Sequence, residues 1–242
     1  MDWDAERYEK WYASDQGRAA LAAERRLLDS VVDQWPRRNQ RVLEIGCGTG
    51  IFQQILFDDG FDVAGIDRSP AMIEGARARL GPGAELYVGN GEALPFADKD
   101  FDFCVLWTVL EFCDDPGAVI AEAARVAAKG LLIGFLNRHS AYWLASGLRW
   151  PWNKSSSLTR ARWFTWPEMR ALALINTERR PARTRSILPG PPCTWTNRQP
   201  WRFLNGLILP PQLGAITAMR IDLVDYQPLT PIYAWKTEAG MT

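Results

Sequence analysis

The residues Val42-Leu43-Glu44-Ile45-Gly46-Cys47-Gly48-Thr49-Gly50 decide the fold. Val42, Leu43 and Ile45 make a short apolar run suited to a buried strand. Glycine then occupies every second position, at Gly46, Gly48 and Gly50. Glycine permits positive φ and close backbone approach, so such a loop wraps a ligand that a Cβ would push away. The chain next enters an apolar-periodic segment, Ile51 to Phe57, which reads as a helix. Strand, glycine turn and helix N-terminus together form a cradle for a nucleotide-like cofactor.

A dinucleotide cradle asks for G-x-G-x-x-G or A. Counted from Gly46, the last position is Ile51, too bulky for the close helix–sheet contact. The pattern is instead E-x-G-x-G-x-G, led by Glu44. It resembles the first motif of class I S-adenosylmethionine-dependent methyltransferases, and in particular the small-molecule type. The resemblance implies an α/β, Rossmann-like fold with a seven-stranded, mostly parallel sheet and helices on both faces. It implies S-adenosyl-L-methionine as cofactor, S-adenosyl-L-homocysteine as product, and cofactor contacts from Glu44, Gly46, Cys47, Gly48 and Gly50.

Phe61 to Asp67 reads as the second strand. A carboxylate at its tip, Asp67, is placed to accept from both ribose hydroxyls. Arg68 follows; Ser69 is a helix cap and Pro70 fits a first turn. The resemblance places Arg68 and Met72 beside the cofactor, Met72 near the adenine. The third strand spans Ala84 to Val88. It leads to Gly89-Asn90-Gly91-Glu92-Ala93-Leu94-Pro95-Phe96, where the resembled family shows Gly-Asp-Ala-Glu-x-Leu-Pro-Phe. Asn90, Gly91 and Glu92 are therefore expected at the adenine. Asn90 replaces an acid there, yet its Oδ1 still accepts from an amino group. A turn at Asp98 to Asp102 precedes the apolar fourth strand, Phe103 to Trp107, which reads as central. The family resemblance puts Trp107 and Glu111 at the border of cofactor and acceptor. A helix from Pro116 through Lys129 and a fifth strand, Gly130 to Leu136, complete the repeat.

Residues 4–35 read as two helices broken at Gly17. Tyr8, Trp11 and Tyr12 cluster on one side and look like the N-terminal cap of small-molecule methyltransferases. Beyond Leu136 the resemblance thins. Trp166 to Asn176 reads as a helix and Ala182 to Leu188 as a strand. Pro189 to Pro211 reads as an aromatic- and proline-rich insertion. Leu213 to Leu223 is expected as an antiparallel last strand, and Ile232 to Trp235 as a short further one. The expected organisation is one methyltransferase domain over 1–242: a helical cap in 1–40, the cofactor core in 41–137, and acceptor-side insertions in 138–242.

Hydrophobic content is 47% and charged content 23%, ordinary for a globular protein. The zero net charge hides a segregation: 14 basic and 23 acidic residues lie in 1–137, against 12 and 2 in 138–202. Seven of the twelve tryptophans share that basic stretch. Two acceptor alternatives to a small molecule follow. Arginine interleaved with tryptophan suits RNA phosphates and bases, and Trp201 to Leu213 suits a peripheral contact with a lipid acceptor. A non-catalytic cofactor-binding protein is a further alternative. The four cysteines show no C-x-x-C pair and no metal spacing, as for reduced thiols in the cytoplasm. The acidic first residues do not read as a secretory signal. The longest uncharged run, Phe203 to Met219, is broken by glycine and proline and reads as core plus loop rather than a transmembrane span.

The implied reaction is attack by an acceptor atom on a sulfonium methyl. Tyr8, Trp11 and Trp107 are candidates to face that cation. An acidic acceptor would call for a general base. His139, the only histidine, Glu111 and Tyr142 are the candidates.

Overall fold

The protein is described from a computed structural model covering residues 4–148, 157–179, 181–189, 195 and 204–224. Two helices open the chain, α1 (Ala5–Ala13) and α2 (Asp15–Val32). The break falls at Ser14, not at Gly17. Ser14 is extended, at φ −71° and ψ 163°, and serves both helices. Its N–H closes α1 on Trp11 O at 3.0 Å, and its Oγ accepts the Gly17 N–H at 3.1 Å. Gly17 acts through its missing side chain. A Cβ there would lie 2.0 Å from Trp11 O, so glycine lets α2 fold back against α1.

The core alternates strand and helix: β1 (Arg41–Ile45), α3 (Ile51–Asp58), β2 (Asp62–Asp67), α4 (Pro70–Leu80), β3 (Glu85–Val88), β4 (Phe101–Trp107), α5 (Pro116–Val126) and β5 (Ala127–Leu136). The caps are local. Ser69 accepts from Met72 N–H with Pro70 in the first turn, and Asp115 accepts from Ala118 N–H ahead of α5. The later elements are α6 (Trp166–Thr177), β6 (Arg183–Leu188), β7 (Leu207–Leu209) and β8 (Ile216–Asp222). A Thr165–Glu168 capping box starts α6.

The sheet has eight strands in the order β3-β2-β1-β4-β5-β8-β6-β7. Strands β1 to β5 pair in parallel; β8 joins β5 antiparallel, and β6 and β7 continue antiparallel. The eighth strand is β7, which falls in the stretch expected as insertion. Its three residues, Leu207-Ile208-Leu209, run straight into Pro210 and are too few to show a period. The candidate at Ile232 to Trp235 lies outside the described residues.

Alternation on β4 sends Phe103, Val105 and Trp107 to one face, and Cys104 and Leu106 to the other. The first face is covered by α2 and α3, the second by α5 and α6. Charge segregation is partly resolved by pairing across the fold: Arg183 on β6 joins Asp33 after α2. Among the described residues, no helix is long and apolar enough to cross a membrane.

The order reverses between β1 and β4, because the chain builds β2 and β3 outward on one side before returning on the other. Loops after the carboxyl ends of these strands diverge there and leave a crevice, the place where open α/β sheets hold ligands.

Candidate active site

A cavity of about 580 Å³ opens at that reversal. Its size falls within the roughly 300–1,000 Å³ of small-molecule sites. Its floor is the glycine turn. Gly46, Gly48 and Gly50 all have left-handed φ, at +74°, +54° and +77°. A Cβ on Gly46 would lie 2.2 Å from Val109 Cγ2, whereas one on Gly48 would meet nothing closer than the Tyr8 ring at 3.9 Å. Gly46 and Gly48 line the cavity. The backbone is thus bare where a ligand would approach it.

Asp67 fastens this turn. Its Oδ2 accepts the Gly48 N–H at 3.0 Å and its Oδ1 accepts the Ser69 N–H at 2.9 Å. One carboxylate at the tip of β2 therefore sets both the glycine turn and the start of α4. Asp67, Arg68 and the buried Met72 line the same wall.

The third side is the Gly89–Glu92 segment, also on the cavity wall. It lies flat on the strand tips: a Cβ on Gly89 would be 2.7 Å from Ile66 Cδ1, and one on Gly91 would be 2.9 Å from Ile45 Cγ2. This explains glycine at Gly91 where the resembled pattern has alanine. Gly91→Ala is expected to lower stability by about 1 kcal/mol through overpacking, measured by urea unfolding; an unchanged midpoint would mean that Ile45 gives way freely. Asn90 Oδ1 accepts the Glu92 N–H at 3.2 Å. Glu92 Oε1 in turn accepts from Asp115 N–H at 2.9 Å and Asp114 N–H at 3.1 Å. These backbone donors, led by Asp115, hold the Glu92 carboxyl below its ordinary value.

Helix α1 closes the top with Tyr8, Trp11 and Tyr12. Glu9 on its far side reaches Arg79 of α4 at 2.6 Å, and Arg79 Nε donates to Thr49 O at 2.9 Å. The helical cap is thereby pinned to the glycine turn. Burial pushes the Tyr8 and Tyr12 hydroxyls well above their ordinary range, so both remain protonated.

The end away from Asp67 is walled by Trp107, Leu136, Tyr142, Trp195 and Ile216. Trp107 lies over Gly134, where a Cβ would come 2.7 Å from its ring. Its indole N–H donates to Glu24 Oε2 at 2.8 Å. Thr108, next on the wall, has φ +49°, a strained value for a β-branched residue.

Several residues expected at the site lie elsewhere. Glu44 is 2% exposed and not on the cavity wall. It alternates with the wall residue Ile45 on β1 and so sits beneath the turn, where burial, then Asp67, raises its carboxyl well above the ordinary range. The Cys47 side chain is buried, and Gly50 caps α3 at φ +77°; neither lines the cavity. Glu111 is also buried away from the wall. Its Oε1 accepts the Leu136 N–H, its Oε2 has no partner, and burial pushes it up to about 7. His139 is exposed and off the wall. Asn137 explains this: it caps the turn through His139 N–H at 3.0 Å and donates to Gly214 O at 2.9 Å, which fixes a loop that turns His139 outward. Tyr142 does line the cavity, but burial raises its hydroxyl, so it is a proton donor rather than a base. Glu24, a further carboxylate on the cavity wall, is not among the residues the sequence predicts there. Among the described residues, no three His, Cys, Asp or Glu are grouped to hold a metal ion.

Comparison with known proteins agrees with this geometry. Residues 43–133 match the family described as methyltransferase domain. An uncharacterized protein of Methanocaldococcus jannaschii is 36% identical over 143 residues, covering 58% of this chain and 62% of its own length. The malonyl-[acyl-carrier protein] O-methyltransferase of Erwinia pyrifoliae is 36% identical over 131 residues, 51% of this chain and 49% of its own. The chain thus spans less than two thirds of the length of either relative. A solved SAM-dependent methyltransferase of Thermotoga maritima, described as a possible histamine N-methyltransferase, is 26% identical with a TM-score of 0.68, covering 90% of this chain and 96% of that one. The family match runs from inside β1 to inside β5, the stretch that builds the cradle: residues 43–133 match a methyltransferase domain, in a fold shared with a solved SAM-dependent methyltransferase.

Proposed function

We propose that this protein transfers a methyl group from S-adenosylmethionine to a small-molecule acceptor. The observation that carries the reading is the clasp of Asp67 onto Gly48 N–H, on the wall of a cavity at the sheet's reversal point. A bare backbone turn, a carboxylate fixed beside it and a flat glycine segment opposite fit an adenosyl group. Gly46 and Gly48 approach the amino-acid end, and the remaining lone pairs of Asp67 accept from the ribose diol. Met72, Asn90 and Gly91 hold the adenine, with Glu92 as the strut behind Asn90.

Bound there, S-adenosylmethionine supplies a methyl group already activated by its sulfonium. The protein has only to orient the acceptor and keep water out, and positioning of this kind is worth roughly 7–11 kcal/mol. The α1 cap serves the second need. Tyr8 and Trp11 put aromatic rings on the cavity wall, and a cation over such a ring is worth about 0.5–2 kcal/mol. The aromatic end of the cavity suits a small acceptor, and the activity named for the Erwinia relative, an O-methyltransferase, is of the same reaction class. Free thiols at Cys47, Cys104 and Cys113 support a cytoplasmic setting.

Isothermal calorimetry with S-adenosylhomocysteine tests the reading. Binding with Kd in the range of about 1–100 μM is expected, corresponding to roughly 5.5–8 kcal/mol. No heat of binding at millimolar ligand would contradict it.

A further inference from the structure

Glu24 is a carboxylate drawn from the interior onto the cavity wall. It is 4% exposed, on the face of α2 otherwise formed by Ala20, Ala23, Leu27 and Leu28. Its Oε2 takes the Trp107 indole N–H at 2.8 Å. Trp107 is itself held between Gly134 and Phe52, with the Phe52 ring 5.3 Å away. The carboxylate is therefore fixed in direction at the aromatic end of the cavity.

Among the described residues, the ionisable groups that act with it are tyrosines: Tyr8 and Tyr12 on α1, and Tyr142 after β5. Arg7, Arg68 and Arg160 line the cavity as well. Among the described residues none of these cations is paired with Glu24, whose carboxyl burial pushes up to about 7, against the pull of Trp107. A buried acid without a paired cation is expensive to ionise. Glutamine would satisfy the Trp107 N–H equally well and avoid that expense, so indole anchoring alone does not account for an acid. A buried acid poised near neutrality in a cleft suits proton transfer.

We propose, resting on the methyltransferase reading above, that Glu24 is the catalytic base: the acceptor presents a protic nitrogen or hydroxyl to its carboxylate, which takes that proton as the new bond to the methyl carbon forms. The X–H bond breaks and its electron pair stays on X. The lone pair that X gives to carbon is thereby replaced, and the proton resides on Glu24 until solvent removes it. The same placement selects against acceptors that react through an anion. A second carboxylate beside Glu24 meets like charge in a poorly solvated site, whereas a protonated amine among these rings is favoured.

The test uses protein loaded with S-adenosylhomocysteine, native and E24Q, titrated by calorimetry with benzylamine, phenol and benzoate near pH 7.5. The expected result is that benzylamine or phenol binds at least about tenfold more tightly than benzoate, as like-charge exclusion predicts. E24Q should collapse that ratio and leave S-adenosylhomocysteine affinity unchanged. Preference for benzylamine would mark an amine acceptor, and preference for phenol a hydroxyl. Benzoate binding as tightly as either, no binding of the protic probes, or an unchanged ratio in E24Q would each overturn the proposal. Loss of S-adenosylhomocysteine binding by the native protein would instead refute the methyltransferase reading beneath it. Should E24Q fold poorly, the native protein still decides. Its Trp107 indole N–H resonance should titrate with a midpoint near 7, and a signal flat from about pH 5 to 9 would contradict a titrating partner.

Discussion

Asp67→Ala is expected to weaken S-adenosylhomocysteine binding by about 100-fold while the protein stays folded. The carboxylate holds Gly48 N–H at 3.0 Å and Ser69 N–H at 2.9 Å. Hydrogen bonds to a charged group are each worth about 1.5–3 kcal/mol. Alanine frees the glycine turn, removes the bond that steadies Ser69 ahead of α4, and deletes the acceptor proposed for the ribose diol. A loss near 3 kcal/mol corresponds to about two decades in Kd. Asp67 sits at the carboxyl end of its strand and is half-buried, so the core is not disturbed. Asp67→Asn retains one acceptor oxygen but introduces a donor facing a backbone N–H, and should fall between, near tenfold. Calorimetry on the two variants checks the order. Equal affinity in all three proteins would mean that the clasp organises the turn for some other ligand.

The second large effect is on stability. Glu24 and Glu111 are buried, and burial raises both carboxyls from an ordinary 4.5 to about 7. A group whose folded pKa lies above its unfolded one stabilises the fold fully below the unfolded pKa, and that stability is lost as pH rises through the folded pKa. Unfolding free energy should therefore fall between about pH 4.5 and 7, by about 3 kcal/mol for each acid at 1.36 kcal/mol per pKa unit. Glu111→Gln should remove Glu111's half of that slope. The amide oxygen can still accept the Leu136 N–H, and no charge need be buried. Above pH 7 the variant should therefore be more stable than the native protein, by about 1–2 kcal/mol after the unpartnered amide nitrogen is counted. At about pH 5, where the native carboxyl is still mostly protonated in the fold, the variant should be the less stable by about 1 kcal/mol, because its unpartnered amide nitrogen costs the same at every pH. Urea unfolding at the two pH values measures this, and parallel pH profiles would contradict the assignment to Glu111.

The cofactor half was legible in sequence because its signals are local. The apolar run of β1, alternating glycines, Ser69-Pro70 before α4 and the carboxylate ending β2 each depend on a few adjacent residues. Their spacing follows from one helical crossover. Residues that reach the site from remote elements were not legible in the same way. Glu24 lies on the buried stripe of α2, three and four residues before Leu27 and Leu28, where helical periodicity alone predicts core. An acid inside that stripe was the available signal. Thr108 and Trp195 join the wall through backbone strain and tertiary packing, which no local pattern records. His139 shows the converse. It follows the fifth strand as expected, but the Asn137 bonds decide which way the turn faces. Glu44 belongs to the motif, yet strand alternation puts it beneath the turn rather than on the cavity wall.

A crystal structure with S-adenosylhomocysteine bound tests the central claim most directly. The account predicts the ligand along the Gly46–Gly50 turn, its ribose hydroxyls on Asp67, its adenine between Met72 and Gly91, and its sulfur facing the chamber of Trp107 and Glu24. A ligand seated elsewhere, with Asp67 left bonded only to Gly48 and Ser69, would contradict it.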